Sequence, residues 1–117
     1  MFRICCNCNK YCYNKKLYNR SMEKFDVTID ELIQMQQAGA LVIDIRSPQE
    51  YNEGHLDGAI VLPDYEIRRS VNRVIPNKNQ VIIVYCGNGV RSKNTQKCLQ
   101  RMGYTNVYNL YKGTQNY

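Results

Sequence analysis

The stretch that decides the fold is Val81-Ile82-Ile83-Val84-Tyr85-Cys86-Gly87-Asn88-Gly89-Val90-Arg91-Ser92. An unbroken apolar run stops at a cysteine, passes two glycines and enters a helical pattern with an arginine in its first turn. That is the sequence of a buried strand, a tight turn and a helix start. Such a turn leaves backbone N–H groups without internal partners, directed at whatever sits in its centre. Here that group is a thiol. The loop reads as a device for making and stabilising a thiolate, and so as part of an enzyme.

The segments on either side supply the rest of a sheet. A short strand is expected at Phe25 to Val27, followed by a capping box at Thr28-Ile29-Asp30-Glu31 and a helix that carries Leu32 and Met35 and stops near Gly39. Leu41-Val42-Ile43-Asp44-Ile45 fits a strand buried on both faces. Ser47-Pro48-Gln49-Glu50 is a second capping box with proline at the first helical position, and Gly54 ends that short helix. Ala59 to Leu62 reads as a strand, Tyr65 to Val74 as a helix, and a helix from about Ser92 to Met102 stops at Gly103. Asn106 to Leu110 supplies the last strand. Strands alternating with helix-sized segments predict an α/β fold, a mainly parallel five-stranded sheet with helices on both faces. Ligand sites in such sheets lie beyond the carboxyl ends of the strands, where Cys86 and the Asp44/Arg46 pair fall.

A chain of 117 residues suffices for one core and no more. The net charge of +6 is local: residues 1 to 21 carry Arg3, Lys10, Lys15, Lys16 and Arg20 and no acid, while the remainder holds 11 basic against 10 acidic side chains. The basicity belongs to an N-terminal extension, expected to be poorly ordered, and Met22 is a candidate translation start. The near-neutral remainder, residues 22–117, argues against a nucleic-acid footprint. No apolar run reaches the ~20 residues of a membrane span, and no h-region follows the basic N-terminus. Four of six cysteines (Cys5, Cys6, Cys8 and Cys12) sit in the extension, which argues against a disulfide scaffold and for a reducing, cytoplasmic setting. Four ligands within eight residues close poorly into a tetrahedron, so an oxidisable tail is favoured there over zinc.

A free thiol has a pKa of about 8.5, and lowering it two units takes about 2.7 kcal/mol of preferential anion stabilisation. A helix N-terminus supplies roughly 0.3–2 kcal/mol, and a charge-assisted amide hydrogen bond about 1.5–3 kcal/mol more. Gly87 and Gly89 are expected to allow the unusual dihedrals, with no Cβ in the way, that amides converging on one point require.

With these residues in view, the chain resembles the rhodanese-like domain family over roughly residues 24–113. Asp44-Ile45-Arg46-Ser47-Pro48-Gln49-Glu50-Tyr51 followed by Gly54-His55-Leu56-Asp57-Gly58-Ala59 is similar to that family's first signature. The Tyr85 to Ser92 stretch is similar to its active-site loop, and Gly103 to Leu110 to its last strand. The resemblance implies sulfur transfer: Cys86 takes a sulfane sulfur from thiosulfate, a persulfide or mercaptopyruvate, and a thiol, cyanide or protein acceptor relieves the resulting persulfide. Gly87, Asn88, Gly89, Val90 and Ser92 would bind the transferred sulfur, and Arg91 would neutralise an anionic donor or brace the loop. No metal or organic cofactor is implied. Cys86 to Arg91 is Cys-x4-Arg, one residue shorter than the Cys-x5-Arg of related phosphatases, whose tetrahedral phosphate needs a wider ring of amides.

Other residues have plainer readings. Asp44 and Arg46 could order the loop or contact substrate; the favoured role is structural, with Asp44 accepting backbone N–H groups and Arg46 pairing with Glu50. His55 is expected to hold a tight turn and not to act as a base. Cys98 is expected in the core, with a resolving disulfide to Cys86 the alternative. Lys112-Gly113 replaces the family's usual glycine pair, and the chain stops at Tyr117 where a tryptophan often packs, so a frayed or less stable final cap is expected. Two competing functions remain beside the sulfurtransferase: a non-catalytic sulfur carrier or docking module, and a thiol redox sensor.

Overall fold

A computed structural model describes residues 21–115. Five strands, β1 (Asp26–Val27), β2 (Leu41–Asp44), β3 (Ile60–Val61), β4 (Ile82–Tyr85) and β5 (Val107–Leu110), form one sheet in the order β1-β5-β4-β2-β3. Every pairing is parallel. The helices are α1 (Ile29–Gln37), α2 (Pro48–Glu53), α3 (Ile67–Val74) and α4 (Val90–Arg101), with a 3-10 turn at Asp64–Glu66 leading into α3. A helix was expected from Tyr65; its first turn is wound tighter, with Glu66 N–H donating to Pro63 O.

Alternation along β4 assigns the two faces. Ile82 and Val84 join Ile43, Ile67, Val71 and Leu99 in one apolar cluster, under α3 and α4. Ile83 and Tyr85 join Val42, Leu32 and Leu110 in the other, against which Tyr51 packs, under α1 and α2. A strand with helices on both faces must be apolar at every position, which explains the unbroken run at 81–85. Ile82, Ile83 and Val84 are wholly buried, each stabilising the fold by about 1.5–3 kcal/mol relative to exposure.

Local chemistry fixes the helix starts. Thr28 Oγ1 accepts from Glu31 N–H (3.2 Å) while Glu31 Oε1 accepts from Thr28 N–H (2.8 Å). Ser47 and Glu50 repeat this, both distances 3.2 Å, with Pro48 opening the helix. Each such cap contributes about 1 kcal/mol, which matters most for a helix as short as α2. Among the described residues no helix is long and apolar enough to cross a membrane.

The register brings Asp44 beside Tyr85 and Val84 beside Asn109, so the carboxyl ends of β2, β4 and β5 share one edge. Tyr85 ties that edge together. Its hydroxyl donates to Asp44 Oδ2 (2.8 Å) and accepts from Leu56 N–H (3.0 Å). Burial raises the Tyr85 pKa above its ordinary value, so the phenol stays protonated and can donate. Tyr85→Phe would leave a buried carboxylate oxygen and an amide each short of a partner. The expected loss is about 1–3 kcal/mol, read as a lower midpoint in urea unfolding with an unchanged slope.

Candidate active site

Cys86 follows β4 directly and is 1% exposed. Gly89 takes the left-handed conformation (φ +86) and serves as the N-cap of α4. This is why the helix begins at Val90, two residues before the expected start. A chain reversal completed at one glycine brings the first turn of α4 directly under the sulfur. Gly89 N–H and Ser92 N–H donate to Sγ at 3.2 and 3.4 Å, and Ser92 Oγ lies 3.3 Å away. Val90 N–H goes elsewhere, to Asn88 Oδ1 (2.9 Å), an Asx turn that sets the loop's shape. Of the loop residues read as sulfur-binding, Gly89 and Ser92 therefore present amides to Sγ, while Val90 N–H bonds to Asn88 Oδ1, which itself lies 3.9 Å from Sγ as an acceptor. Gly87 and Asn88 line the cleft into which Cys86 opens, about 180 Å³ in volume, with Arg46, Glu50, Arg91 and Gln115 on its other walls.

Arg91 is anchored by Asp64: its Nε donates to Oδ2 (3.1 Å) and its Nη2 to Oδ1 (3.2 Å). Burial works against its charge, but the Asp64 hydrogen bond and the charges of Asp64, Cys86 and Glu50 outweigh it and raise its pKa. It is thus a fixed cation at the cleft wall. Asp64 lies 27 residues away, and no local pattern in the sequence links it to Arg91.

Arg46 does not pair with Glu50, as expected, but with Asp44, through Nε (3.0 and 3.2 Å) and Nη2 (2.7 Å). Glu50 Oε1 is held in its capping box by Ser47, and Asp44 is the nearer acid. Arg46 Nη2 also donates to Gly54 O (2.6 Å), and Asp44 Oδ1 accepts Arg46 N–H (2.9 Å), as the structural reading required. The Asp44 hydrogen bond holds the Arg46 pKa above its ordinary value. Both arginines at the cleft are therefore committed to carboxylates.

His55 is exposed, stacks on Tyr51 at 3.7 Å and donates from Nδ1 to Tyr51 O (2.7 Å). It holds its turn and does not line the cleft. Cys98 is partly buried and packs against the cluster under α3 and α4. Among the described residues no group of three or more His, Cys, Asp or Glu is placed to hold a metal. Cys5, Cys6, Cys8 and Cys12 lie outside the described residues.

The C-terminal turn was not expected to take part. Thr114 N–H donates to Cys86 O (3.1 Å) and Gln115 N–H to Gly87 O (2.9 Å), so residues 113–115 dock on the loop. Within residues 111–115 the chain forms a turn in which Lys112 itself adopts φ +61 in place of a glycine; Tyr117, where the frayed or less stable cap was expected, lies outside the described residues. The available signal was Gly113, read as half of a missing glycine pair.

A family model described as "Rhodanese-like domain" matches residues 28–117. The thiosulfate sulfurtransferase PspE of Escherichia coli (strain K12) is 39% identical over 67 residues, 57% of this chain and 64% of that protein. The thiosulfate sulfurtransferase GlpE of Shewanella oneidensis is 28% identical over 88 residues, 74% of this chain and 85% of that protein. This chain thus spans just under two thirds of the first relative's length. Among solved structures, the human single-domain sulfurtransferase TSTD1 superposes with a TM-score of 0.71 at 20% identity, over 80% of this chain and 94% of that one; at that identity the likeness speaks for the fold alone.

Proposed function

Because this chain belongs to the rhodanese-like domain family, we propose that it is a sulfurtransferase working through a persulfide on Cys86. The observation that carries this reading is the convergence of the Gly89 and Ser92 amides on one nearly buried sulfur facing a small cleft. Donors aimed at a site of developing charge stabilise it without reorganising when the reaction occurs. The names of two curated relatives, the thiosulfate sulfurtransferases PspE and GlpE, support the same reading.

In the first step the Cys86 sulfur attacks the outer sulfur of the donor. A new S–S bond forms, the donor's S–S or C–S bond breaks, and sulfite, a thiolate or pyruvate leaves with the electron pair. In the second step an acceptor thiolate or cyanide attacks the outer sulfur and Cys86 departs as thiolate. This is covalent, two-step catalysis with ping-pong kinetics. Gly89 and Ser92 N–H groups hold the attacking and the leaving form of Sγ. Gly87 and Asn88 border the space for the outer sulfur, and Arg91, fixed by Asp64, places a positive charge where anionic donors arrive. Asp44 and Arg46 support the loop by joining the end of β2 to the turn at Gly54. We place the reaction in the cytoplasm.

The test is to incubate the protein with thiosulfate, 3-mercaptopyruvate or glutathione persulfide and weigh it intact. A gain of about 32 Da, one sulfur, removed by dithiothreitol, is expected. Turnover with cyanide or glutathione distinguishes an enzyme from a carrier that discharges only to a docked protein. No mass gain with any donor would sink the reading.

A further inference from the structure

A buried polar chain runs from the sulfur to an ion pair beneath the loop. Ser92, at hydrogen-bond distance from Sγ, bonds through its hydroxyl to Asn109 Oδ1. Asn109 Nδ2 lies 3.4 Å from Asp26 Oδ1 and 3.5 Å from Gly89 O. Asp26 Oδ1 is 3.2 Å from Lys93 Nζ, which also reaches Glu23 at 3.3 Å. Ser92 and Asn109 are wholly buried, and neither lines the cleft.

The chemistry of the outer groups dictates the hydrogens. A carboxylate and a peptide carbonyl only accept, so the side of the Asn109 amide facing Asp26 and Gly89 must be its NH2. Its oxygen then faces Ser92 and can only accept. The single Ser92 hydrogen therefore points to Asn109, and the Ser92 oxygen turns lone pairs toward Sγ. That arrangement suits a neutral thiol, which can donate to Ser92. It does not suit an anion, which needs a donor.

We infer that Asn109 is a positioning residue that competes with the Cys86 sulfur for the one hydrogen of Ser92. When the Cys86 proton leaves to water in the cleft, the Ser92 hydroxyl must rotate to serve the sulfur, and Asn109 Oδ1 is then left without its donor. The buried Asp26–Lys93 pair, reaching the site through β1 and α4, keeps the amide from flipping to relieve this. The chain thus holds back the reactive form of Cys86. The other charged groups around Cys86, namely Arg91 with Asp64 from α4 and the turn before α3, and Arg46 and Glu50 from across the cleft, stay as they are in the experiment below.

The inference rests on Cys86 being the nucleophile of the proposed reaction. Its test uses alkylation, so it can be read even where sulfur transfer fails. In Asn109→Leu the rate of Cys86 alkylation by iodoacetamide near neutral pH is expected to rise about twofold to tenfold, one net hydrogen bond. Ultraviolet thiolate absorbance should rise with it. In a Ser92→Ala background the same substitution should change neither, because the contested hydrogen is gone. A merely structural Asn109 would lower the rate in both backgrounds. A fall or no change with Ser92 present overturns the inference, as does an equal change without it. Should Asn109→Leu fail to fold, Asn109→Ala carries the same expectations.

Discussion

Cys86→Ser is expected to abolish sulfur loading while leaving the fold in place. The hydroxyl is close in size to the thiol and can still accept from the Gly89 and Ser92 amides, which lie 3.2 and 3.4 Å from the present sulfur. Unfolding midpoints should therefore shift little. What is lost is the nucleophile: an alkoxide is inaccessible at neutral pH, and an O–S bond does not replace the S–S bond on which the transfer depends. Removing the nucleophile of a covalent enzyme costs several orders of magnitude in rate, up to about 10⁶. The gain of about 32 Da should vanish with every donor. Cys98→Ser is the matched control. Cys98, like Leu41 and Met102, packs against the core and does not line the cleft, so that variant should load sulfur like the parent. A redox sensor that resolves Cys86 through Cys98 predicts the opposite: a Cys86–Cys98 disulfide under peroxide, lost in Cys98→Ser. Sulfur loading that survives in Cys86→Ser would remove the basis of the mechanism.

What could be read before the coordinates follows from the range of the interactions. The two capping boxes involve residues three apart, and the strand at 82–85 declares itself by its apolar run; both kinds of signal lie within one short window. The placement of Cys86 at the carboxyl edge follows from the order of strand and helix patterns, because a parallel sheet leaves few alternatives. Interactions made across the sheet carry no such mark. Arg91 finds Asp64, Tyr85 finds Leu56, and Ser92 finds Asn109 only once register has put their elements side by side. Even a local reading fails where two partners compete at similar distance in sequence. Arg46 has acids two residues before it and four after it, and the choice was made by the capping duty of Glu50. The start of α4 was missed for a related reason: an N-cap without a side-chain acceptor leaves only Gly89's backbone freedom as its signal.

The same dependence on distant backbone makes Gly113→Ala the most damaging substitution expected outside the loop itself. Gly113 sits at φ +67, where an alanine pays about 1–2 kcal/mol. A Cβ there would also lie 2.5 Å from Cys86 O and closer still to Gly87 O. These are peptide oxygens and not the tips of flexible side chains. They are held by the Thr114 and Gln115 amides, so relief requires the turn to lift off the loop. Overpacking of this kind costs about 1–3 kcal/mol more. Thermal unfolding should fall by roughly 4–8 °C for each kcal/mol in a domain of this size. The effect on chemistry should exceed the effect on stability at any temperature where the variant is still folded. Moving the Cys86 and Gly87 carbonyls rotates the peptide planes on either side of Gly87, and the amides directed at Sγ move with the loop. Lys112→Gly makes the comparison sharp. Lys112 also has a left-handed backbone (φ +61), so glycine relieves strain there, while the added freedom of the unfolded chain offsets most of the gain. That variant should melt close to the parent and load sulfur at the parent's rate. If Gly113→Ala instead melts and loads like Lys112→Gly, the C-terminal turn is not a brace for the loop, and the amide geometry around Cys86 must be held by α4 alone.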